Sequence, residues 1–358
     1  MEAIVLNRDF EQVYILDEFK SFVWTDRYYE AGDFQLYVGA TSDILDYLQQ
    51  DYYLYNRESE HLMVIEQIDI MTDPEEGDEI EVIGRSLESI LDRRIVWGQQ
   101  TFNGNFQSQM QRLLNLNAIS PSIANRRIPN LIFSSTSDPY ITSLTIDSQY
   151  TGDNLYDLMV DACTDLEIGW KVVLDSSNRF VFSFYNGTDR SYEQGVNPYV
   201  VFSPNYENIV NSKYLESRKN YKNIAYVGGE GEGTARTWAT YDATSSSGLD
   251  RRELYVDARD LSSDTRDEQG NTTTLTPSQY QAVLKQRGAD KLAENTETRM
   301  FEGEVETTQM YLYNRDFFMG DIVEIENEYG ITARARVTEM VMSHDTSGEK
   351  KVPGFEIV

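Results

Sequence analysis

KNYKNIAYVGGEGEGTARTWATYDATSSSGLDRRELYVDARDL, from Lys219 to Leu261, reads as the stretch around which this chain is organised. Lys222 to Val227 reads as a strand, Gly228 to Gly233 as a turn, and Ala235 to Tyr241 as a second strand. A polar loop then leads to a short third strand around Glu253 to Val256. Two apolar-rich runs joined by a glycine-rich turn make a hairpin signal. The glycines free the backbone for positive φ, while Glu230 and Glu232 place two negative charges at an exposed hairpin tip. A phosphate-cradling loop would end in Gly-Lys-Ser/Thr and carry a positive field. Here Thr234 and Ala235 follow and the charge has the opposite sign, so a nucleotide loop is excluded in favour of a charged, solvated tip.

Working outward, 358 residues exceed one typical core, so two or three domains are expected. An apolar fraction of 40% with 12% aromatics supplies packed cores rather than a disordered chain. The 24 tyrosines suit half-buried strands and interfaces. The 60 acids outweigh 31 bases, for a net charge of −29. That balance opposes any grip on nucleic acid or on an anionic membrane, both of which need basic surface. It suits solubility, or an acidic wall along which DNA slides without sticking. The one cysteine, Cys163, falls in a helical apolar pattern and rules out an intrachain disulfide. No secretory signal opens the chain and no run is long enough for a membrane span, so synthesis in a cytosol is expected.

Residues 1–98 read as many short strands with few helices, a small barrel or a sandwich. Phe34, Leu36 and Val38 share one face at period two. Ser42 is the expected N-cap of a short helix to Gln50, Pro74 to Asp78 an acidic turn, and Ser86 to Arg94 a helix. Residues 99–198 form an α+β unit. A helix is expected over Asn105 to Ala118. A second, over Asp153 to Leu166, has Asp153 as N-cap and Leu155, Leu158, Met159 and Cys163 on one stripe. Trp170 to Leu174 and Phe180 to Phe184 pair as a hairpin. The basic Arg126-Arg127 pair is either a solvated loop or an ion-pair partner at a contact. Residues 199–358 are again β-rich, with a helix over 276–295 opened by Thr276 as N-cap, Pro277 at N1 and Gln279 at N3, a capping box. Long strands follow at Met300 to Tyr313, Asp321 to Asn327 and Ile331 to Met342, closing a second barrel.

AYVGGEGEGTART and GLDRRELYVDARDL resemble the ReqiPepy-type siphovirus tail proteins, a tail-tip or baseplate hub family of phages of Gram-positive hosts. NRDFEQVYILDEFKSFVWTDRYYEAGDFQLYV, GRSLESILDRRIVWG and QYTGDNLYDLM are similar to the same family, in colinear order over nearly the whole chain. The resemblance implies a β-rich α+β fold, with two barrel-like, tail-tube-related domains (1–98 and 199–358) flanking an α+β insertion (99–198). It implies a virion structural protein, made in the host cytoplasm of a siphovirus or prophage. Three chains would form a homotrimeric ring with pseudo-sixfold symmetry. The implied partners are the distal tail protein ring, the tape-measure protein and tip or receptor-binding proteins, with DNA passing through the lumen without specific binding.

Catalysis would need a positioned constellation. His61 and His344 have no partner at ligand spacing and read as surface or edge residues, and no Gly-x-Ser-x-Gly elbow occurs. Asp264, Asp267 and Glu268 do not follow the alternation of a calcium loop. No catalytic, cofactor or metal residue is therefore assigned, and no enzyme activity is expected. Arg251, Arg252, Asp257 and Arg259 form alternating charges on a strand and turn that would set register between chains. The competing reading is a carbohydrate-binding or cell-wall-degrading tail protein, whose Tyr and Trp residues would line a sugar groove.

Overall fold

The computed structural model of the protein describes residues 2–72, 77–266, 272–304, 310–330, 332–346 and 348–358. The expected turn residues Pro74 to Glu76, and Asp267 and Glu268, lie outside them. The frame is a 13-stranded sheet. Its path runs from Val210–Ser217 through Thr298–Glu304, Gly348–Ile357 and Thr332–Asp345 to Ser21–Arg27. It continues through Asp33–Gly39, Glu79–Ser86, Leu62–Met71, Tyr53–Tyr55 and Ala3–Leu6, and ends at Gln12–Leu16. Val201–Phe202 and Ile322–Glu326 branch from Thr332–Asp345. Both β-rich segments thus contribute to one sheet, and among the described residues the pairing path is open at both ends rather than closed into a barrel.

The alternation of Phe34, Leu36 and Val38 puts all three into the sheet's core, with Phe22 and Trp24 from the neighbouring strand. Met340 and Met342, far along the chain, fill the same core. The last strand, Gly348–Ile357, was not expected, because Pro353 and Gly354 are poor strand formers. It is accommodated by a register shift opposite Val337 and Glu339. The short helix Ser42–Tyr47 is capped by Thr41, not Ser42, because the Thr41 hydroxyl accepts from the Ile44 N–H.

The middle segment has its own core. One sheet pairs Gln99–Asn105 with Thr145–Thr151; a second joins Gly169–Leu174, Phe180–Tyr185 and Leu131–Ser134. The helix Phe106–Leu114 passes into a π-helical turn at Asn115–Ile119, earlier than an end at Ala118 would have it. The helix Leu155–Asp165 buries Leu155, Leu158, Met159 and Cys163; its cap is Asn154, one residue after the expected Asp153, and accepts from Tyr156 and Asp157 N–H groups.

The second β-rich segment holds a further unit. Val210–Ser217 pairs directly with Thr298–Glu304, so the intervening chain leaves the sheet as a long excursion. That excursion builds a three-stranded sheet, Trp238–Asp242, Ile224–Gly228 and Glu253–Asp257, with the last two parallel. The helix Pro277–Ala293 covers one face, sealing a core of Ala225, Val227, Ala239, Val256, Val283 and Leu284. The approach is close: a Cβ on Gly288 would stand 2.9 Å from Val227 Cγ2. The Thr276/Gln279 capping box forms as its spacing predicts.

Candidate functional site

The opposite face of the three-stranded sheet is bare. Period-two alternation sends Ala225, Val227, Ala239 and Val256 inward and Tyr226, Trp238 and Tyr255 outward. The three rings are 47%, 37% and 56% exposed, which is high for aromatics that touch one another. Tyr226 and Trp238 are stacked, 4.6 Å between centroids and 6° from parallel, and Trp238 lies 6.4 Å from Tyr255. The Arg236 guanidinium packs over Trp238 at 4.9 Å.

Arg236 is the fastener of this face. It donates to the Gly228 and Gly229 carbonyls at 2.6 and 3.0 Å, to the Tyr255 hydroxyl at 3.0 Å and to Asp257 at 2.5 Å. Gly228 makes that possible, since a Cβ there would sit 2.5 Å from the guanidinium carbon. Asp257 also accepts from Arg259 at 2.5 Å, and Arg259 and Arg236 together hold its carboxyl down at about 2.

The predicted contact residues divide. Asp257 and Arg259 meet Arg236 beside the aromatic stack. Arg251 lies at the other end of the same strand, paired with Glu253 at 2.5 Å. Arg252 turns away, donating to the Arg218 carbonyl at 2.8 Å and lying over Tyr221. Glu232 is exposed, but Glu230, expected beside it at the tip, is half-buried: its carboxylate accepts from Ser263 N–H, and its own N–H donates to Tyr280. The loop folds onto the helix because Gly229 and Gly231 let it turn back. Sequence reasoning missed Tyr226, Trp238, Tyr255 and Arg236. The signal was present, since each ring alternates with a small or branched apolar residue, the mark of an outward-facing position.

Two joints attach the surrounding parts. Between the large sheet and the middle segment lies a buried polar network. His61, expected at the surface, is buried with Nδ1 3.1 Å from Glu88, which also accepts from the Val172 N–H at 2.9 Å. Burial opposes charge on the imidazole, but the Glu88 carboxylate more than offsets it and raises His61 to about 9. Glu88 is lowered by His61 against its own burial. Nearby, Asp26 accepts from Trp24 Nε1 and the Ser59 hydroxyl, and burial pushes its carboxyl up. Asp26 also lines a cavity of about 200 Å³ together with Glu60, Lys171 and Tyr185.

The second joint is a seam where the helix Pro277–Ala293 faces the helix Leu155–Asp165 across a cavity of about 350 Å³. Asp161, Asp165 and Asp290 line it with Arg287 and Lys291. Burial and the Asp165 charge push Asp290 up to about 6, against the hydrogen bond from Gln286. Among the described residues no group of His, Cys, Asp or Glu side chains is arranged to hold a metal ion, and no helix is long and apolar enough to cross a membrane.

A family model described as siphovirus ReqiPepy6 Gp37-like protein matches residues 2–353. No curated protein matches the chain. Solved structures with similar folds include a 43 kDa tail protein of prophage MuSo2 from Shewanella oneidensis. It is 12% identical with a TM-score of 0.58, over 99% of this chain and 98% of that one. A tail protein from Neisseria meningitidis MC58 is 11% identical with a TM-score of 0.55, over 99% and 95%. Prophage tail protein gp18 from Listeria monocytogenes EGD-e is 14% identical with a TM-score of 0.53, over 99% and 94%.

Proposed function

Because the chain belongs to the siphovirus ReqiPepy6 Gp37-like family, we propose that it is a structural protein of a phage or prophage tail, the hub at the tail tip. The observation that carries this reading is the family match across residues 2–353, together with a fold shared end to end with three tail proteins, two of them from prophages. Three copies form a ring, each contributing the large sheet that 1–98 and 199–358 build together, with the α+β part 99–198 attached. One side of the ring meets the distal tail protein; the other carries tip or receptor-binding proteins. The lumen holds the end of the tape-measure protein and then passes DNA. A charge of −29 supports a passage role, because an acidic wall repels the phosphate backbone. The residues proposed for contact between chains are Arg251, Arg252, Asp257 and Arg259.

The work of such a protein is assembly geometry rather than bond chemistry. It is made in the host cytoplasm and ends in the virion. The exposed Tyr226, Trp238 and Tyr255 favour a second reading, a carbohydrate-binding tail protein. Light scattering of the purified chain over a range of concentrations tests the ring. A species near three times 41.2 kDa is expected; a monomer at every concentration overturns it.

A further inference from the structure

The bare face of the three-stranded sheet is rigid before anything binds it. Tyr226 stacks on Trp238, Arg236 covers Trp238, and the guanidinium is pinned by four hydrogen bonds. Exposed Tyr, Trp and Arg side chains held in one conformation have the composition of an interface hot spot, and their fixed geometry lowers the entropic cost of docking.

The polar groups around the rings decide what kind of ligand fits. A sugar is held by stacking on an open ring face and by free carboxylates or amides that bond its hydroxyls. Here both Asp257 oxygens are taken by Arg236 and Arg259, and Glu253 is taken by Arg251. The Trp238 ring is flanked by Tyr226 and Arg236. The face therefore offers apolar ring surface with its charges already satisfied, which suits a protein surface better than a glycan.

Charge decides which protein. On this face Arg236, Arg251 and Arg259 offset Glu253, Asp257 and the outlying Asp242, with Glu232 a further acid beside Arg259. It is near neutral in a chain of −29. A basic partner would be drawn to acidic surface anywhere on the molecule. A copy of the same acidic chain is repelled except where charge is cancelled. We infer that the Tyr226–Trp238–Tyr255 face is the anchor by which one copy of this chain docks on the next. Of the charged residues proposed above for contact between chains, Asp257 holds Arg236 against the rings and Arg259 pairs with Asp257 at the edge of the face. This rests on the self-assembly proposed above. A threefold ring joins unlike surfaces, so the face meets a different part of the neighbour.

The test uses the full chain, with Tyr255→Arg and Thr240→Arg. Thr240 is exposed on the same face, directly across from Tyr226, and takes no part in the stack. Circular dichroism melting confirms that each variant is folded. By sedimentation, the wild type is expected as a trimer, and each variant should need roughly 30-fold more protein to assemble. Unchanged assembly of a folded Thr240→Arg protein overturns the docking face and leaves the ring standing. A wild type that is monomeric throughout overturns the ring, and the docking face with it. If soluble peptidoglycan fragments quench tryptophan fluorescence in the wild type and not in Thr240→Arg, the face belongs to a glycan and the inference fails.

Discussion

The middle segment is held on two sides, and the two joints solve the same problem in opposite ways. Against the large sheet, a buried imidazole faces a buried carboxylate, and the carboxylate oxygen that faces it also accepts from the Val172 backbone amide. Trp170 Nε1 reinforces that side by donating to the Tyr29 carbonyl at 2.6 Å. Against the helix Pro277–Ala293, five carboxyls, of Asp153, Asp161, Asp165, Asp290 and Glu294, line a cavity, and one of them, Asp290, is pushed up to about 6. The first joint pairs opposite charges inside the core. The second is acidic, open and weakest when its acids ionise. Sheet and middle segment should therefore behave as one cooperative block, with the three-stranded unit as a separately loosened attachment.

The largest test of that contrast breaks the compensated joint. Glu88→Ala removes the partner of the buried His61 and the acceptor of the Val172 N–H, and is expected to cost about 3–5 kcal/mol, read from urea denaturation. The loss should appear in the main unfolding transition. Equal stability of wild type and variant would remove the distinction between the joints. Next, Gly288→Val forces a branched side chain into the gap filled by Val227, Ala225 and Tyr241. It should cost about 1–3 kcal/mol and loosen the three-stranded unit alone. Limited proteolysis should then cut within the 218–297 excursion first.

The pH responses sharpen the comparison further. Asp290 has a raised carboxyl, so its contribution is present below pH 3.8 and is lost as pH rises through about 6. His61, raised to about 9, contributes fully below pH 6.5 and is lost as pH rises through about 9. Raising pH from 5 to 6.5 should speed hydrogen exchange in the helix Pro277–Ala293, after correction for intrinsic rates, before it affects the strand Leu62–Met71. Asp290→Asn should abolish that dependence and steady the seam at pH 8 by about 1 kcal/mol, after allowing for solvent screening. The smallest effect is Thr276→Ala, which removes the capping box and should cost about 1 kcal/mol or less in the same exchange measurement.

Local features were legible in the chain because short-range chemistry writes them. Thr276-Pro277 with Gln279 announces a helix start, and the Trp170 to Phe184 hairpin carries its own turn at Asn178, whose φ is 57°. Caps slipped by one residue where two candidates stood together, as at Asp153 and Asn154. What the sequence hid was long-range. Nothing near His61 points to Glu88, and nothing in Ser21–Arg27 announces Thr332–Asp345 as its partner. Gly348–Ile357 was masked by its own Pro353. The docking face was half visible, since its charges drew notice while its rings lie on three separate strands whose pairing is set by the fold.

The pairing of Ser21–Arg27 with Thr332–Asp345 also has a consequence in time. Arg27 reaches Glu339 at 2.9 Å across 312 residues of chain. At ordinary translation rates, that gap is on the order of half a minute. During it the first half of the sheet waits on the ribosome with an unpaired edge and apolar residues such as Phe22 and Trp24 incompletely covered. Such an edge is a template for mispairing. The middle segment, which closes its two small sheets between Gln99 and Tyr185, can fold while the rest is still being made. The nascent chain thus gains an ordered body long before its central seam can zip. Chaperone supply during synthesis should therefore bear on its yield.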